Sequence, residues 1–179
     1  CPELADAQII QYTTPLGANP PFIQGLLRYD NPDIILVRDD IPVLVYEATH
    51  MAASGHNAGQ RLARLACAME EGVMAVYFTP FRSTKHGEYA STVIQPRRIF
   101  SAIEAMHRIH DVPILMVNWA VDANDELIRD GGQLSRENEN FRVGLSELIN
   151  DLVANDFDYN HCETINLLFE RMLQLAAGL

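Results

Sequence analysis

The sequence predicts a mixed α/β domain: a small central sheet, part antiparallel hairpin and part parallel βαβ unit, flanked by helices. Three observations point there. Two β-branched apolar runs, Asp33 to Val37 and Ile41 to Thr49, lie so close that they can pair only as an antiparallel hairpin. A helical stretch and a third apolar run follow, an order that makes a right-handed parallel crossover. Apolar residues recur at helical spacing through the C-terminal third.

The elements follow in order. Residues 3–11 read as a short helix stopped by Thr13-Thr14-Pro15. Pro15 to Pro21 is an irregular connector, and Phe22 to Leu27 a short apolar segment. Arg38-Asp39-Asp40 makes the hairpin turn, and Pro42 is acceptable at a strand entry. Residues 54–71 predict a helix, with Ser54 as N-cap and Ala58, Leu62, Leu65, Ala66 and Met69 as its apolar stripe. Gly72 ends it, and Val73 to Phe78 is a third strand. A polar loop, Thr79 to Tyr89, leads to a short extended piece at Ser91 to Ile94. Arg97 to His110 is an amphipathic helix, and Pro113 to Trp119 a fourth strand in which Trp119 is expected in the core. Phe141 to Ala154 and Cys162 to Ala176 complete the chain as helices, with Gly178 as a stop. One domain is expected over 1–179, its core at 28–120 and its helical C-terminal part at 135–178.

Composition narrows the class. The 179 residues are 48% hydrophobic and 21% charged, which supports a packed core and excludes disordered, collagen-like and coiled-coil chains. No apolar run approaches the roughly 20 residues of a membrane span, and no signal peptide is visible. Three cysteines without CxxC spacing argue against a disulfide framework and for a reducing, cytoplasmic setting. The missing initiator Met is expected of a processed or excised piece. Net charge is -11, which opposes generic polyanion binding. Residues 48–110 nevertheless carry seven basic and four acidic residues, a centre able to hold one phosphate-backbone segment.

The informative constellation is Pro32-Asp33, then Glu47-Ala48-Thr49. Strand alternation puts Val43, Val45, Glu47 and Thr49 on one side. Glu47 is therefore an acid at the end of an apolar strand, a costly place without a partner. With the turn centred near 39–40, Asp33 falls opposite positions 46–47. Two carboxylates so close repel unless a cation sits between them, and a hard divalent ion suits an oxygen-only site.

This arrangement resembles the PD-(D/E)xK nuclease superfamily, in particular its restriction-endonuclease-like members, over roughly residues 30–80. The resemblance implies that Asp33 and Glu47 hold Mg²⁺, with Mn²⁺ able to substitute, and that the pair activates water. Thr49 stands where the family has lysine, and it brings no charge to the transition state. Replacements are at hand: Asn57, Gln60, Arg61 and Arg64 on the helix, with the arginines opposite its apolar face, or Arg82, Lys85 and His86 in the loop after the third strand. His50 is a further candidate for moving a proton. Asn57, Gln60, Arg61, Arg64, Arg82 and Lys85 are the candidate nucleic-acid contacts. The implied activity is metal-dependent endonucleolytic hydrolysis of DNA, in a homo-oligomer or larger assembly. The alternative is an inactive nuclease-like domain serving nucleic-acid binding or protein assembly.

Other signals are weaker. His107 and His110 have a spacing that can bind zinc but lack matching ligands. Cys1 as an autoprocessed nucleophile has no supporting pattern, and no GxSxG, GxxxxGK[ST] or GxGxxG motif is present.

Overall fold

The computed structural model describes residues 11–12, 16–49, 56–84, 92–119, 121–122, 124, 126–128 and 147–178. The expected helix at 3–11, the Ser54 cap, Cys1 and the start of the 141–154 helix lie outside them. The elements are α1 (Pro21–Gln24), β1 (Ile34–Arg38), β2 (Ile41–Ala48), α2 (His56–Glu70), β3 (Met74–Thr79), β4 (Arg82–Thr84), β5 (Thr92–Ile94), α3 (Arg97–His110), β6 (Ile114–Asn118), α4 (147–154) and α5 (Glu163–Gly178). Among the described residues, no helix is long and apolar enough to cross a membrane.

The main sheet runs β1-β2-β3-β6, with β1 antiparallel to β2 and the other pairs parallel. Its hairpin closes through Asp39 and Asp40, both at positive φ (49° and 63°), as a two-residue type I′ turn requires. A regular ladder from that turn would set Asp33 opposite Tyr46. Instead the register shifts by one residue, Leu36 facing Leu44 and Val37 facing Pro42. Val43 is the extra residue of a bulge beside a proline that has no N–H to give the ladder. Ile34 therefore faces Tyr46, and the register carried one step further sets Asp33 against Glu47. The bulge thus sets Asp33, one residue outside β1 and exposed, beside the Glu47 end of β2.

Both faces of the sheet are covered. Val45, Ala75, Tyr77, Ile114 and Met116 pack against Leu65, Ala68 and Met69 of α2 and Ile99, Phe100 and Ile103 of α3. Leu44, Met74, Val76, Leu115 and Val117 pack on the other side against Leu148, Leu152, Cys162 and Ile165. Burial on both sides explains why β3 reads as an unbroken apolar run rather than an alternating one. Gly72, at φ +71°, turns the chain from α2 into β3 in a conformation that suits glycine.

Three local expectations change. The loop after β3 holds strand β4, which pairs with β5 as a separate two-stranded sheet; β-favouring residues on both sides of the loop find each other there. Trp119 lies past the end of β6 and is only half-buried, stacked on Phe78 at 4.5 Å, with its indole N–H donating to the Ile128 carbonyl at 3.2 Å. Helix α5 also continues through Gly178 instead of stopping before it.

Helix α5 is capped from a distance. Asp151 Oδ2 accepts from the backbone N–H of Thr164 at 2.9 Å and from its hydroxyl at 2.7 Å. These bonds, the backbone one foremost, hold the Asp151 carboxyl below the usual range. A lowered native pKa stabilises the fold above the ordinary carboxylate value, and this support is lost as pH falls through the lowered one. Asp151→Ala is expected to cost about 1 kcal/mol at neutral pH. Urea melts taken towards pH 3 should show the gap between the two proteins closing.

Candidate functional site

Helix α2 runs antiparallel to β2, so its first turns lie over the C-terminal end of that strand. Arg61 and Arg64, three residues apart, share a helix face there. Glu47 is completely buried, on the sheet face turned to α2. Its Oε1 accepts from Nη1 of Arg61, and from Nη1 of Arg64 at 2.7 Å. Its Oε2 accepts from the Asp33 backbone N–H at 3.2 Å. Asp33 in turn accepts at Oδ2 from the Ala48 backbone N–H, at 2.7 Å. The two acids are thus interlocked, each carboxylate holding backbone beside the other.

Arg64 is doubly committed. Besides Glu47, its Nε and Nη2 donate to Asp30 Oδ2 at 2.9 and 2.7 Å. The bond from Arg64 holds the Asp30 carboxyl below its ordinary value. Arg61 has Glu47 as its one ion-pair partner among the described residues, and its side chain is more open, 26% exposed against 16% for Arg64. A buried carboxylate is tolerable here because guanidinium charge and hydrogen bonds offset its lost hydration. The charges do not balance, however. Among the described residues, Asp30, Asp33 and Glu47 bring three negatives against two guanidiniums, a surplus of one negative charge.

Two phenols, Tyr12 and Tyr46, lie within the field of Asp33, and a third, Tyr77, lies beside Glu47. Tyr12 and Tyr46 are pushed up to about 12, first by burial and then by the charge of Asp33. Both stay neutral beside it. Tyr77 stands directly opposite Glu47 in the parallel ladder and is 1% exposed. Burial raises the Tyr77 phenol, and a side-chain hydrogen bond with Thr79 and then the nearby Arg61 charge oppose that rise.

The sequence-predicted residues separate clearly. Asp33, Glu47, Arg61 and Arg64 come together. The arginines do not lie on a solvated stripe facing away from the core: both turn inward, because the buried Glu47 carboxylate draws them across the sheet end. Thr49 follows β2, half-buried, its backbone N–H donating to the Phe78 carbonyl at 2.9 Å. Gln60 and Arg82 are exposed, on α2 and β4. Lys85, His50 and His86, and the side chain of Asn57, lie outside the described residues. Asp30 and Tyr77 went unnoticed in the sequence. Asp30 has a signal, an acid three residues before Asp33, whereas Tyr77 reads as ordinary core.

Of the alternative metal pair, His107 has a structural use. His107 Nδ1 bonds the Val112 carbonyl at 2.9 Å, and its ring packs on Phe169 with centroids 4.7 Å apart. Among the described residues, no three His, Cys, Asp or Glu side chains form a ready metal cage. Comparison of the chain with protein-family models, with curated proteins and with solved structures gives no match.

Proposed function

We propose that this domain is a metal-dependent endonuclease that hydrolyses DNA phosphodiester bonds, with a restriction-endonuclease-like fold and a cytoplasmic place of action. The observation that carries the reading is the interlock of Asp33 and Glu47 at the end of β2, Glu47 accepting from the Asp33 backbone and Asp33 from the Ala48 backbone, in a cluster with one negative charge in excess among the described residues. Both donors are carboxylate oxygens, the chemistry that Mg²⁺ or Mn²⁺ prefers, and magnesium commonly takes one or two carboxylates and fills its shell with water and phosphate. A bound divalent ion lowers the pKa of water and stabilises charge on a phosphoryl group. Adding two positive charges to the surplus of one negative leaves the site at plus one, which matches one phosphodiester.

The chain's own groups have distinct tasks in this reading. Asp33 and Glu47 would hold the ion. Asp30 keeps Arg64 fixed, so that Arg64 orients Glu47. Arg61, the more open cation, offsets charge at the phosphate in place of the family lysine that Thr49 replaces; Lys85 and His50, the other candidates for this role, lie outside the described residues. Gln60 and Arg82, exposed on their elements, extend the DNA contact. Cutting both strands calls for two copies or a larger assembly.

A second reading has its own support. Both oxygens of Glu47 already have protein partners, as in a structural ion cluster, which suits an inactive module for nucleic-acid binding or assembly. Cleavage of supercoiled and linear DNA with Mg²⁺ or Mn²⁺ separates the two. Wild-type cutting that falls at least about a hundredfold in Asp33→Asn and Glu47→Gln supports the enzyme. No cutting with either ion, at any protein concentration, supports the module.

A further inference from the structure

We propose that the outer edge of β1 is a docking surface for an extended segment of a partner protein, apolar in its middle and basic at its ends, which joins the main sheet as a further strand. The inference stands apart from the endonuclease reading. The sheet order β1-β2-β3-β6 leaves two edges, and the structure treats them differently. Helix α5 closes the β6 edge: the Met116 N–H donates to Met172 Sδ at 3.2 Å, and Met172 is buried. β1 has β2 as its one strand partner among the described residues. In an antiparallel pair, alternate residues turn their N–H and C=O away from the partner, so β1 presents a row of these groups outward. The Tyr12 phenol bonds the Ile35 backbone, a single side-chain contact that an incoming strand can replace with ladder bonds.

The side chains suit such a neighbour. Ile34 and Val37 of β1 and Ile41 at the start of β2 are 49%, 40% and 64% exposed. Edge strands are commonly blunted by lysine, proline or an inward charge, and Ile34 to Val37 carries none of these. Charge selects the occupant. Asp33 lies exposed before the strand, and Asp39 and Asp40 lie exposed after it, so acids stand at both ends of an apolar run. Arg38, between them, is engaged by Asp156. A segment with Lys or Arg at its ends meets both acidic flanks. A second copy does not, since two β1 strands paired antiparallel about Leu36 set Asp33 of each against Asp39 of the other. Each copy also carries a net charge of -11. In strand addition of this kind, main-chain bonds give affinity, and the side chains along the edge give selectivity.

The test is binding of a labelled peptide to the full chain, followed by fluorescence anisotropy, with sedimentation of the chain alone. The probe alternates valine and threonine and ends in lysines on both sides; its counterpart has glutamates in place of the lysines. The lysine peptide should bind, and the glutamate peptide at least about tenfold more weakly, because like charges then meet at both flanks. Ile34→Lys and Val37→Lys, each at an exposed position, should melt where the wild type does and bind the lysine peptide about tenfold more weakly. Ile109→Lys, on the 73% exposed residue of α3, carries the same charge elsewhere and should leave binding unchanged. No binding of the lysine peptide overturns the inference, as does equal binding of the two peptides. A loss in Ile109→Lys equal to that in Val37→Lys overturns it too, since the effect would then be one of overall charge. Self-association of the wild type that Val37→Lys abolishes would assign the edge to a second copy instead, and would equally overturn it.

Discussion

Glu47→Ala is expected to destabilise the fold by about 3 kcal/mol without any metal present, because it strips two inward-turned arginines of their shared buried partner. The expectation sits at the low end for a broken buried pair. Arg64 keeps Asp30, and Arg61 is open enough to recover some water. Glu47→Gln should cost less, since an amide oxygen still accepts from Arg64 while the charge is gone. A double-mutant cycle of Glu47→Ala with Arg64→Ala, read by urea unfolding at constant slope, should return a coupling of about 1–3 kcal/mol. Additive losses would mean that the two side chains merely lie side by side. The cluster is thus a structural element in its own right, whatever it binds.

The second large effect is expected on the opposite face of the sheet. Leu148 of α4 is fully buried among Leu44, Met74, Val76, Leu115 and Val117. Leu148→Ala should cost about 3 kcal/mol, from lost transfer energy and the cavity left behind. Leu167 of α5 is 63% exposed, and its replacement by alanine should move stability by no more than about 0.5 kcal/mol. The contrast tests whether the C-terminal helices are a true third layer. Equal small losses at both positions would mean that α4 does not close the second core.

Much of this architecture was legible because periodicity reports burial. The hairpin followed from two apolar runs around Asp39 and Asp40, and the crossover from a helix between two such runs. Helix α3 appears with the bounds its pattern indicates, Arg97–His110. The candidate site was legible only in part, and the bulge at Val43 shows why. Counting from the turn left Asp33 opposite either Tyr46 or Glu47. Those two residues point to opposite faces, so the count alone could not decide whether the acids meet. Pro42, unable to complete a regular ladder, was the local signal that the register would slip.

The arginines were harder to read. Arg61 and Arg64 flank the apolar stripe of α2, and helical spacing alone assigns such residues to solvent. Their inward turn depends on a carboxylate fourteen and seventeen residues away, respectively, in the chain. The Tyr77 hydroxyl was beyond reach for a related reason. Period and composition classify tyrosine as core without saying whether its oxygen finds a partner, which only the packed neighbours determine. The pairing of β4 with β5 likewise joins two three-residue strands, each too short to announce its partner.

Crystals of the wild-type chain soaked in Mn²⁺ and measured at the manganese absorption edge address the metal centre directly. One anomalous peak is expected, bonded at about 2.1 Å to an oxygen of Asp33 and an oxygen of Glu47, with Arg61 no longer on Glu47. A map with no peak there, and with both arginines still seated on the carboxylate, would contradict the account.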